Sequence, residues 1–81
     1  MEIKNFEHLV QELENLFRIS FTSKIVDRGV EYTNLLYGIR FDKIIKGEGF
    51  IYSIFVNGKL PKYKSKELEE IYIMAKDSLK K

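Results

Sequence analysis

The chain has 81 residues, 44% hydrophobic and 32% charged with one Pro and five Gly, which suits a single folded domain and excludes a disordered tail. The absence of Cys removes disulfides, thiolate nucleophiles and Cys-based metal sites together. A formal charge of +2 is too mild to declare a nucleic-acid binder, and no stretch approaches the ~20 apolar residues of a membrane span; the start Met1-Glu2-Ile3-Lys4-Asn5 also lacks a signal peptide's basic and apolar regions, so a cytoplasmic protein is expected.

Charge is distributed unevenly. Residues 1–20 are net acidic, with Glu2, Glu7, Glu12 and Glu14 against Lys4 and Arg18, whereas Lys59, Lys62, Lys64 and Lys66 come with no acid among them. Phe6, Leu9, Val10, Leu13, Leu16 and Phe17 fall at the i, i+3, i+4, i+7 spacing of one helix face, and Asn5 is placed to cap that helix. From Ile19 the pattern becomes strand-like, Ile19, Phe21 and Ile25 alternating with Ser20, Thr22 and Lys24, and Asp27-Arg28-Gly29 supplies a turn. Val30–Thr33 and Leu35–Phe41 then read as one strand, with an irregularity near Asn34 or Gly38. Residues 42–48 read as a loop.

Phe50 to Val56 is the densest apolar run and is stopped by Asn57-Gly58, two residues that tolerate the positive φ of a tight hairpin turn. Strand alternation places Phe50, Tyr52, Ile54 and Val56 on one face and Ile51, Ser53 and Phe55 on the other. Pro61 has no N–H for a sheet ladder, so Lys59-Leu60 is expected to form only a short edge piece followed by a loop. Ser65 is the expected cap of a last helix, with Glu67, Glu69 and Glu70 at its start and Lys76, Lys80 and Lys81 near its end. Leu68, Ile71, Tyr72, Ala75 and Leu79 make its buried stripe, which Ile73 and Met74 widen. The expectation is an α+β fold in a single small domain spanning residues 1–81, ordered helix, strand, strand, strand, helix, with a three-stranded antiparallel sheet.

Catalytic groupings are sparse. The single His8 lies off the apolar stripe of its helix, and the neighbouring pairs Glu12 with Glu14 and Glu69 with Glu70 point in different directions, so neither pair converges on one substrate atom. Gly47-Glu48-Gly49 opens like a dinucleotide fingerprint, but Tyr52 stands where a third glycine is required and a strand follows where a helix is needed. No metal-ligand spacing is present. A non-enzymatic protein without cofactor or metal is expected.

Tyr37-Gly38-Ile39-Arg40-Phe41, the strand Phe50 to Val56 ending in Asn57-Gly58-Lys59, then Tyr63-Lys64-Ser65 and a helix resemble the three-stranded DNA-binding domain of plant ethylene-response factors and of phage integrase N-terminal arms. The likeness spans residues 37–79. The overall order of elements is also that of double-stranded-RNA-binding domains. The resemblance implies a nucleic-acid surface made of Arg40, Lys43, Lys59, Lys62, Lys64 and Lys66. Those DNA-binding families carry Arg and other polar groups on the outward positions of the central strand, where this chain has Ile51, Ser53 and Phe55; aliphatic side chains neither neutralise phosphates nor read base edges.

A protein-docking role fits the apolar outward positions better. If both helices cover one face of the sheet, the other face carries Ile51 and Phe55 with aromatics such as Tyr37, and Ile73 on the last helix offers further apolar surface. The expected function is a small binding protein that blocks or bridges a protein partner, in the manner of a viral or mobile-element inhibitor of a host enzyme such as a nucleic-acid-processing one. Homodimerisation through the same surface is a variant, and DNA or RNA binding by the lysine-rich 59–66 segment is the alternative.

Overall fold

The computed structural model describes residues 2–57 and 60–80. It contains α1 (Phe6–Phe17), β1 (Thr22–Val26), β2 (Gly29–Asn34), β3 (Ile39–Lys46), β4 (Gly49–Val56), β5 (Tyr63–Ser65) and α2 (Leu68–Leu79). The strands form one antiparallel meander in the order β1-β2-β3-β4-β5. The α+β class agrees with the sequence, but the sheet has five strands where three are predicted.

A split strand and an added edge strand account for the difference, and β3 is longer than predicted. Val30 to Phe41 is not one strand, because Leu35 to Gly38 form a turn in which the Gly38 N–H donates to the Leu35 carbonyl at 3.2 Å and the Tyr37 N–H to Asn34 Oδ1 at 3.0 Å. Residues 42–48 are not a loop either: β3 runs on to Lys46, which pairs with Gly49, and only Gly47 and Glu48 turn the chain. Gly47 holds φ 63, the glycine-first pattern of a type II′ hairpin. The charges of Asp42, Lys43 and Lys46 disguise this strand. The structure accommodates them by pairing Asp42 with Arg40 and laying the Lys43 ammonium over the Phe50 ring, 4.2 Å from its centroid.

The fifth strand, Tyr63–Ser65, falls where a loop is predicted and pairs with Tyr52 to Ile54, so the edge piece lies after Pro61 rather than at Lys59-Leu60. Lys59 is outside the described residues, as is Gly58 of the predicted turn; Asn57 does adopt a positive φ of 47. Turn residues Asp27 and Arg28 join β1 to β2, as the sequence predicts. Gly29 is needed there because a Cβ would collide with the Lys43 carbonyl oxygen, and this close approach lets the Ile45 N–H donate to the Arg28 carbonyl at 2.7 Å.

Asn5 caps α1 as expected, its side chain accepting the His8 N–H at 2.8 Å. At the other end Arg18 closes the helix in the left-handed region, and Glu14 Oε2 accepts the Phe21 N–H at 2.8 Å, tying the helix to the approach to β1. The cap of α2 differs from expectation. Glu67 occupies the cap position without a side-chain bond, while Ser65 Oγ accepts the Glu67 N–H and donates to Glu70 Oε1.

Both helices lie on the same face of the sheet. Phe6, Leu9 and Leu13 of α1 and Ile71, Ala75 and Leu79 of α2 share one core with Ile39, Phe41 and Ile54. The Phe6 ring sits between Tyr32 and Tyr52, with centroids 5.5 and 5.4 Å away. No helix among the described residues is long and apolar enough to cross a membrane.

Candidate functional site

With both helices on one side, no helix of the described residues covers the opposite sheet face, and the strand register dictates what it carries. Arg40 pairs with Phe55, Ile44 with Ile51, and Glu31, Asp42, Ser53 and Lys64 form a polar row running across four strands. The predicted alternation of β4 holds: Tyr52 and Ile54 enter the core, and Ile51, Ser53 and Phe55 turn away from it.

Arg40 organises the middle of this face. Its guanidinium carbon lies 3.9 Å from the centroid of Phe55, a cation-π stack that half-covers the ring. Its Nε stands 3.1 Å from Asp42 Oδ1 and 3.9 Å from Glu31 Oε2. The Nε and Oδ1 atoms attract as an ion pair without the alignment of a hydrogen bond, and neither has another hydrogen-bond partner among the described residues. Asp42 is only 7% exposed. Burial pushes its carboxyl above the usual range and Glu31 adds to this, while Arg40 opposes without reversing it.

A cavity of about 380 Å³ opens on the same face beside this pair. Ile44, Ile51, Phe55 and Pro61 give it apolar walls, Asp42 and Ser53 line it from the polar row, and Arg28, Lys46 and Lys64 stand around it. Its size is at the lower end of the roughly 300–1,000 Å³ of ligand pockets. Phe55 also borders a second hollow of about 230 Å³ with Thr33, Asn34, Arg40 and Asn57, so the Arg40–Phe55 stack forms a ridge between two depressions.

Of the predicted interface residues, Ile51 and Phe55 come together here, both half-buried. Tyr37 lies in the β2–β3 turn, beside Leu35 and the 96% exposed Leu36. Ile73 is on α2, which packs against the other face, and is 59% exposed. The predicted basic residues divide as well. Arg40 and Lys64 are on the open face, Lys43 reaches over Phe50 on the helix side, and Lys62 Nζ donates to Ser78 Oγ of α2 at 3.2 Å. Lys66 borders a hollow with Phe50 and Tyr52, and Lys59 is not among the described residues.

Sequence reading misses Ile44, Asp42 and Arg28 as parts of the site. The signal was present in the alternation Arg40, Asp42, Ile44, but it acquires meaning only once residues 42–46 are a strand. His8 has a local role, its Nδ1 accepting the Lys4 N–H at 3.1 Å and its Nε2 lying 3.4 Å from Glu12 Oε2. Among the described residues no three His, Asp or Glu side chains gather as metal ligands. Comparison with known proteins finds no family model, no curated protein and no solved structure that matches this chain.

Proposed function

We propose that this protein acts by docking a protein partner on its open sheet face and blocking or bridging it, without chemistry of its own. The observation that supports this reading is the placement of both helices on one side of the sheet, which leaves Ile44, Ile51 and Phe55 around an open cavity. Half-buried aliphatic and aromatic side chains with a stacked Arg are the composition of a protein-binding hot spot, in which apolar burial supplies affinity and the surrounding polar groups supply register. A viral or mobile-element inhibitor that occludes a nucleic-acid-processing enzyme is one form of such docking, and self-association through this face is another.

The alternative remains a DNA- or RNA-binding role for the lysine-rich 59–66 segment. Partner capture from host lysate onto the immobilised protein, repeated as salt is raised, separates the two readings. Docking through the apolar face survives salt, and Phe55→Ala together with Ile51→Ala weakens it by roughly thirty-fold while the circular dichroism of the fold is unchanged. Capture that collapses with salt, is indifferent to Phe55→Ala and is abolished by Lys62→Ala with Lys64→Ala would overturn the docking reading in favour of nucleic acid.

A further inference from the structure

The charges around the cavity are one-sided. Arg28 comes from the β1–β2 turn, Lys46 from the end of β3 and Lys64 from β5; all three are exposed, and none forms an ion pair among the described residues. The cavity's single acid, Asp42, is already met by Arg40 at 3.1 Å. Among the described residues that line the cavity, three cations thus border an apolar floor and the one acid is already paired.

Resting on the docking reading, we propose that the partner segment this face accepts is acidic and apolar together: aliphatic or aromatic side chains enter the cavity over Ile44, Ile51 and Phe55 while carboxylates meet Arg28, Lys46 and Lys64. The cations remain at the solvent edge, where exposed ion pairs add little affinity, so they select the partner and speed its approach more than they hold it. Apolar burial supplies the holding force. A basic segment meets three like charges. Nucleic acid would present phosphates to the rim but would bring bases against an apolar floor and the Asp42 carboxylate, with only the Ser53 hydroxyl as a donor from that floor.

The test uses the isotope-labelled 81-residue chain and four probes: a short peptide alternating Glu with Leu, its Lys-Leu and Glu-Ser counterparts, and a DNA duplex. Amide shifts on titration report where each binds. The Glu-Leu peptide is expected to move the resonances of Ile44, Ile51 and Phe55 and to bind at least about ten-fold more tightly than the other peptides, and Arg28→Glu with Lys64→Glu to cancel that preference and favour the Lys-Leu peptide. If the Lys-Leu peptide binds the wild-type face equally well, the acidic partner is wrong and the docking face stands. Should no peptide move those resonances, both fail; a duplex that moves them more strongly than any peptide replaces the proposal with nucleic-acid binding.

Discussion

Asp42 shows how one residue is bound to its surroundings. A carboxylate that loses water on folding is penalised in its charged form, and here a single off-line contact with Arg40 offsets the penalty only in part. Between the unfolded and the higher folded value, the folded protein therefore holds a proton that the unfolded chain releases. The Asp42 contribution to stability is fully present below the unfolded value near 3.8 and is lost as pH rises through the higher folded value. Asp42→Asn is expected to be more stable than the wild type near neutral pH, with the difference shrinking as the medium is acidified. Urea unfolding of both proteins across that range checks it; a variant less stable than wild type at neutral pH would mean that the ion pair outweighs burial. Arg40, by contrast, keeps 39% of its side chain in solvent and tolerates the loss of one partner.

At the scale of elements, helices were more legible than strands. The α1 stripe, its Asn5 cap and the α2 stripe all follow from local periodicity, because a helix satisfies its hydrogen bonds within one segment. A strand depends on a neighbour that sequence does not name, so the charged half of β3 reads locally as a loop and Tyr63–Ser65 carries no strand signal of its own. The cap of α2 offers a direct test. Glu67 leaves the first-turn N–H groups without a side-chain acceptor, and a shorter oxygen-bearing side chain supplies one. Glu67→Ser is expected to stabilise the protein by about 0.5–1 kcal/mol, read as a rise of a few degrees in Tm. A fall in Tm would show that the Ser65 hydroxyl, already accepting the Glu67 N–H, makes the cap sufficient as it stands.

For the whole molecule, the two sheet faces have separate tasks, and substitutions on them should separate stability from binding. Phe6 is fully buried between Tyr32 and Tyr52, and truncating it to Ala costs about 3–5 kcal/mol. A domain of this size has only roughly 5–10 kcal/mol in total. Phe6→Ala should therefore unfold at a far lower denaturant concentration than wild type, whereas Phe55→Ala, which empties no enclosed core site, should shift the midpoint little. Equal losses from the two would mean that the open face is part of the folding core rather than a surface held ready for a partner.

Sequence alone determined the α+β class, both helices and the division of β4 into two faces, since these depend on periodicities of 3.6 and 2 within single segments. Tertiary structure decided the rest. Nothing within α1 or α2 states which side of the sheet it will cover, and that choice makes Ile51 and Phe55 walls of an open cavity instead of core. It also leaves Ile73 on the helix side, away from them, and it brings Arg28, Lys46 and Lys64, three cations from three distant elements, to the edge of one apolar hollow. Such a site is a product of register and layer order, which long-range pairing sets and no local pattern encodes.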